Sequence, residues 1–200
     1  SIAYEMKDNN IGYIAVSAFE GTTLSQFEKA LEDLKAQGMT GLVIDLRDNP
    51  GGNLSTVCDM ADLILPAGRI VYTQTKDGAR EFYYSDDTRK LEMPLAVLIN
   101  GNSASASEIF AGAVKDYGIG TLIGTKTFGK GVVQQMIDLG DGSAMKVTIS
   151  KYFTPNGVCI HGTGIEPDIE LEFDSESYKK DESDNQLKKA IEVLNGSKEQ

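Results

Sequence analysis

The chain has 200 residues, 40% of them hydrophobic, with a formal net charge of −11 and a single histidine. That length buries one sizeable core, and we read one domain over residues 1–200. The acidic balance, without a stripe of lysine and arginine, excludes the electrostatic footprint of a nucleic-acid partner, and no apolar run reaches the length of a membrane span.

Ile11 to Phe19 is rich in β-formers and reads as a strand. Thr23 with Gln26 fits a capping box opening a helix whose Leu24, Phe27, Leu31 and Leu34 share one face, closed by Gly38. Leu42 to Leu46 is a near-continuous apolar strand, the kind buried on both faces of a mostly parallel sheet. Arg47-Asp48-Asn49-Pro50-Gly51-Gly52-Asn53 is a turn-rich loop into a helix with Leu54, Val57, Cys58, Ala61 and Leu65 inward and Pro66 as its stop. Its paired glycines either aim a backbone N–H outward or simply tighten the connection, and the segment alone does not choose. Arg69 to Thr75 and Arg80 to Tyr84 flank an Asp77-Gly78 turn and predict a hairpin whose Phe82 and Tyr83 cover the core or line a groove.

Leu95 to Ile99 is a second buried strand. After the turn Asn100-Gly101-Asn102 comes a helix in which Ile109, Phe110, Ala113, Val114 and Tyr117 repeat at helical spacing. Thr121 to Gly124 predicts a short strand, Val132 to Leu139 and Ser143 to Ser150 a second hairpin, and Ile169 to Phe173 a last strand. Residues 174–184 are polar and acidic and read as a surface linker. An amphipathic helix over about 186–195 closes the chain with Leu187, Ala190, Ile191 and Leu194. Strands alternating with helices predict an α/β fold: a mixed sheet with flanking helices and added hairpins.

Ser105 falls in the first turn of the helix after Ile99, beside free N–H groups and the positive end of the helix dipole, where developing negative charge is stabilised. Ser105 and Glu108 also fit a capping box, which needs no catalysis. A Ser-His-Asp triad requires the sole histidine, His161, which lies in a glycine-rich turn where a solvated role is the commoner fate. The other route to an activated serine is a lysine base. Lys130, between Gly129 and Gly131, is the candidate, with Gln134 following. A lysine base must be neutral, so its pKa must fall from about 10.4 toward 7 to 8, and flanking Phe128, Val132 and Val133 are expected to supply the apolar setting. The alternative is an exposed lysine in a flexible turn. Cys58 and Cys159 read as small apolar residues rather than ligands, with no disulfide asserted. Cys159 and His161 make too small a set for a closed zinc site, and we expect no cofactor and no metal.

Five blocks carry a family resemblance: Asn100 to Ala113; Gly129-Lys130-Gly131 with Gln134; Arg47 to Gly52; Tyr152 to Gly157; and Gly164-Ile165-Glu166-Pro167-Asp168. In this order the chain resembles the carboxyl-terminal processing, or tail-specific, proteases of peptidase family S41 from about Gly12 to Leu194. The resemblance implies a ClpP/crotonase-like fold and a serine endopeptidase acting on polypeptides with exposed C-terminal tails. By matching positions it implies Ser105 as nucleophile, Lys130 as general base, Gln134 as the residue orienting the lysine, and the backbone N–H groups of Gly51 and Ala106 as oxyanion hole. These proteases usually carry a PDZ domain ahead of the catalytic block, and this chain has no residues for one, which bears on how substrates are selected. The resemblance also implies an exported parent protein acting in the periplasm, at the cell surface or in the thylakoid lumen, and leaves membrane association and oligomerisation open. Two other readings stand beside it: a crotonase-like acyl-CoA enzyme, which does not require Ser105 or Lys130, and a non-catalytic peptide-binding module of the same fold.

Overall fold

A computed structural model describes residues 1–196. The chain opens with an antiparallel hairpin, β1 (Ile2–Lys7) and β2 (Ile11–Val16), before α1 (Thr23–Ala36), β3 (Gly41–Asp45) and α2 (Leu54–Asp62). β1 is absent from the sequence reading. Its side chains are exposed or half-buried, so it carries no apolar run to announce it. The expected capping box at Thr23 does not form. Thr22 holds the N-cap position without a side-chain bond, while the buried Thr23 hydroxyl accepts from the Glu20 N–H and donates to the Ala18 carbonyl.

β4 (Gly68–Thr75) and β5 (Arg80–Ser85) form the first expected hairpin, and β6 (Leu95–Ile99), α3 (Ala106–Tyr117) and β7 (Thr121–Gly124) follow as read from the sequence. β8 (Val132–Asp138) and β9 (Ala144–Phe153) form the second hairpin. The last strand, β10, is shorter than expected, Ile169–Glu170. The supposed linker contains a helix, α4 (Ser175–Asp181), before α5 (Asn185–Gly196). α4 buries no side chain, so hydrophobic periodicity could not reveal it. Its local support is the Asp174 carboxylate, which accepts the Glu176 and Ser177 N–H groups at 3.1 and 3.0 Å.

The main sheet has the order β1-β2-β3-β6-β7-β10, parallel throughout except for β1. β3 and β6 are buried along their whole length. Ile14, Leu42, Ile44, Val97, Ile99 and Leu122 pack on one face with Phe27 and Leu34 of α1, Val57 of α2 and Phe110 of α3. Ile11, Val43, Ala96, Leu98 and Ile123 pack on the other with Ala190 and Leu194 of α5. The sheet is thus sandwiched between two helical layers, and a second, antiparallel sheet of order β5-β4-β9-β8 is attached outside. The loops after β3 and β6 leave the carboxyl ends of adjacent parallel strands, where α/β sheets place ligand sites.

Candidate active site

The loop after β3 and the turn after β6 are stitched to each other. The Ser103 hydroxyl donates to the Leu46 carbonyl at 2.7 Å, the Ala104 N–H to the Asn49 carbonyl at 3.0 Å, and the Ser107 hydroxyl to the same Asn49 carbonyl at 3.0 Å. The Asp48 carboxylate accepts from the side-chain amides of Asn100 and Asn102, and those bonds hold its pKa below the usual carboxylate value. These contacts separate the three serines of the run. Ser103 and Ser107 are fully buried and tie loops together, whereas Ser105 is half-buried and its hydroxyl bonds neither loop.

Ser105 has φ 56° and ψ −112°, outside any regular conformation. Left-handed backbone costs a non-glycine residue about 1–3 kcal/mol and persists only where the surroundings impose it. Those surroundings are visible. Gly51 has φ 106°, and a Cβ on it would lie 2.8 Å from the Ser105 Cβ and from the Ala104 carbonyl oxygen, and 3.0 Å from the Ala106 nitrogen. Only a glycine lets the loop approach this closely.

Ala106 is the first residue of α3, and its N–H is one of the helix's orphan donors, taken by no backbone carbonyl among the described residues. The Gly51 N–H is engaged: it donates to Asn49 Oδ1 at 2.8 Å. The two groups expected to form an oxyanion hole therefore lie side by side, one open and one already bonded.

Glu108 is the residue whose part the sequence reading missed. It does take the N3 place of the capping box, its Oε2 accepting the Ser105 N–H at 2.9 Å. The same Oε2 also accepts the Lys130 N–H at 2.8 Å. Oε1 accepts the Gly129 N–H and the Thr127 hydroxyl, both at 2.6 Å. One fully buried carboxylate thus joins the backbone of Ser105 to the backbone of Lys130, and the two nitrogens lie no further apart than its two bonds laid end to end. The Ser-x-x-Glu spacing marks a cap, but nothing local says that the cap reaches a loop twenty residues downstream.

The side chain of Lys130 is another matter. It is exposed, Phe128 beside it is 66% exposed, and Val132 and Val133 are only half-buried. The apolar enclosure expected from the flanking residues is not there. No hydrogen bond joins Lys130 to Ser105 or to Gln134 among the described residues; Gln134 sits exposed on β8, next to a register shift, with its amide 3.5 Å from the Thr148 hydroxyl. His161 is exposed in a turn whose backbone packs against Gly131.

An open cleft of about 430 Å³ lies between these parts, lined by Asp48, Pro50, Asn102, Ala104, Phe128 and Lys130. A larger cavity of about 670 Å³ lies on the far side of Asp48, around Arg47. The smaller cleft is the relevant one because it brings the lysine and the serine turn to one opening. Among the described residues no three His, Cys, Asp or Glu side chains gather as metal ligands. Cys58 and Cys159 are free, and burial pushes the Cys58 thiol up to about 12.

The family model for peptidase family S41 matches residues 10–171. A carboxyl-terminal-processing protease of Synechocystis is 41% identical over 94% of this chain and 44% of its own length. The carboxy-terminal processing protease CtpB of Bacillus subtilis is 41% identical over 84% of this chain and 35% of its own. Among solved structures, the photosystem II D1 C-terminal processing protease superposes with a TM-score of 0.79 at 34% identity, over 86% of this chain and 48% of that one. The chain spans less than half the length of these relatives. The mixed sheet with helices on both faces is the ClpP-like architecture of these structural neighbours.

Proposed function

The chain belongs to peptidase family S41, and on that footing we propose that it carries the catalytic machinery of a serine endopeptidase cutting polypeptides near their C-terminal tails. The observation that carries this reading is Ser105: the one serine of its run whose hydroxyl ties down neither neighbouring loop, held in a strained backbone between an orphan helix N–H and a glycine loop. An acyl-CoA enzyme of this fold would also use backbone N–H groups around an oxyanion, but neither it nor a peptide-binding module requires a serine held among them.

In the proposed reaction Ser105 Oγ attacks the scissile carbonyl carbon as its proton passes to Lys130 Nζ. The carbonyl oxygen becomes an oxyanion against the Ala106 N–H, joined by the Gly51 N–H as it turns from Asn49. Collapse of the intermediate expels the amine, which takes the proton from Lys130, and water then hydrolyses the acyl-enzyme by the same relay. Lys130 becomes a base only when neutral. An extended peptide lying in the cleft over Phe128 removes water from around the lysine and brings its side chain to Ser105; catalytic hydrogen bonds that are open in a free enzyme commonly close on substrate. Gln134 orients the lysine in that closed arrangement. We assign the protein to an extracytoplasmic compartment, as for the family; no helix among the described residues is long and apolar enough to cross a membrane.

The test is active-site labelling with a fluorophosphonate, mapped by mass spectrometry, together with cleavage of an unstructured polypeptide. Label on Ser105 and cleavage lost in Ser105→Ala are the expected results. Label on Ser103 or Ser107, or full cleavage by Ser105→Ala, overturns the assignment.

A further inference from the structure

We propose that Asp184 and Gln186, on the segment entering α5, are positioning residues for the glycine loop beside Ser105, acting through Arg47. The inference rests on the peptidase reading and goes beyond it, since both residues lie outside the span matched by the family model.

Arg47 stands between the end of β3 and the loop Asp48 to Gly52, and its guanidinium is held on every side. Nε donates to the two Asp45 oxygens at 3.0 and 3.1 Å, and Nη2 donates to Asp45 Oδ2 at 2.6 Å and Asp184 Oδ2 at 2.7 Å. Nη1 donates to Gln186 Oε1 at 2.9 Å, and the Phe173 ring lies 5.7 Å from the guanidinium carbon. Three of these partners, Asp184, Gln186 and Phe173, come from the C-terminal segment. That segment is fastened in turn: Gln186 Nε2 donates to the Leu171 carbonyl at 2.6 Å, and Asp184 Oδ1 caps α5 by accepting the Leu187 N–H at 2.9 Å. Asp184 thus uses one oxygen for its own helix and the other for the arginine.

Stability alone does not account for this arrangement. Asp45 already pairs with Arg47, so Asp184 adds a second carboxylate to a single guanidinium at side-chain exposures of only 8%, 14% and 15% for Asp45, Arg47 and Asp184. A buried ionic cluster of this kind gains little net stability over apolar residues of similar volume, and fixing one conformation is its better-attested use. The helix has its own anchor in Ala190 and Leu194 against the sheet.

What the cluster fixes is the root of the loop. The Arg47 N–H donates to Asp45 Oδ1 at 2.9 Å, the next residue takes the left-handed φ of 59°, and its N–H donates to Asn100 Oδ1 at 3.0 Å. Gly51 follows within van der Waals contact of Ser105. A shift at Arg47 is therefore passed to the oxyanion side of the site within four residues, and displacements of about 1 Å at a reacting centre cost on the order of a hundredfold in rate.

The variants that test this are Asp184→Asn, which keeps a good helix cap but removes the charge facing Arg47, and Gln186→Met, which removes the acceptor at similar volume. Each is compared with the unaltered chain for kcat and KM on an unstructured polypeptide, and for amide hydrogen exchange over residues 47–52 and 187–194. In both variants we expect kcat to fall about tenfold with KM within about twofold. Exchange should be faster at the Arg47, Asp48, Asn49 and Gly51 amides and unchanged in α5. Loop exchange at the original rate overturns the proposal, as does faster loop exchange with unchanged kcat, or loosening of α5 to the same degree as the loop. If the unaltered chain cleaves nothing, the peptidase reading falls, and loop exchange alone decides whether Asp184 and Gln186 position the loop.

Discussion

The two sides of the cleft are built differently. On the Ser105 side, backbone and side chains are immobilised together: Ser103, Ser107 and Asn49 are fully buried and hydrogen-bonded, and Gly51 is pressed against the serine. On the Lys130 side, the backbone and the buried Thr127 hydroxyl are held, by Glu108 and by the Phe128 N–H donating to the Ser103 carbonyl at 3.0 Å, but the lysine side chain is not. The lysine side chain stands in solvent. A nucleophile needs a fixed approach to a carbonyl, which packing supplies in advance. A lysine base needs water excluded and its side chain brought to the serine, and on the proposed mechanism both come from the substrate that fills the cleft.

The largest expected effects come from removing either proposed reacting group. Ser105→Ala and Lys130→Arg should each lower kcat by about 10⁴-fold or more, with thermal midpoints close to that of the unaltered chain. Arginine stays protonated and cannot take the proton. A folded Lys130→Arg variant with substantial peptidase activity would show that the lysine's exposure is its permanent state.

Next is the residue that joins the two sides. Glu108→Gln replaces one carboxylate oxygen by an amide that cannot accept, so of the four donors pointing at Glu108 some lose their buried partner. The expected cost is about 2–4 kcal/mol in urea unfolding, with kcat reduced as well. Loss of stability with unchanged kcat in the folded fraction would mean that the bridge matters to the fold but not to the reaction.

Asp48, at the mouth of the cleft, gives a smaller and pH-dependent effect. Its pKa is lowered in the folded chain by Asn102 and Asn100. Its contribution is therefore present above the unfolded value, about 3.9, and is lost as pH falls through the folded one. Asp48→Ala should lower the thermal midpoint modestly at neutral pH, with the difference shrinking in acid below about pH 4. A difference that persists unchanged at pH 2 would place the contribution in packing rather than in the ionised carboxylate. The smallest effect belongs to His161→Ala. His161 is exposed, and kcat/KM should stay within about twofold; an inactive variant would return the choice of base to histidine.

Residue spacing along the chain determined the buried strands β3 and β6, the helices α1, α2, α3 and α5, the hairpins β4–β5 and β8–β9, and the strand-turn-helix unit that places Ser105 at a helix start. These features depend on neighbours within a few residues, and apolar periodicity, turn residues and caps report them directly. The same spacing led to a correct capping reading at Ser105 and an unfulfilled one at Thr23, because a Ser/Thr-x-x-Glu/Gln pattern does not say whether its first residue stands before the helix or inside it. β1 and α4 were not legible: neither has a buried apolar face, and each is held by an adjoining strand or a single cap.

Tertiary structure alone decided the rest. It brought Glu108 to the Lys130 loop, left Lys130 in solvent despite its apolar flanks, and set Asp184 against Arg47 across 137 residues of sequence. A carboxylate's local surroundings reveal that it can accept hydrogen bonds, but which donors reach it depends on where the sheet and its two helical layers deliver distant loops.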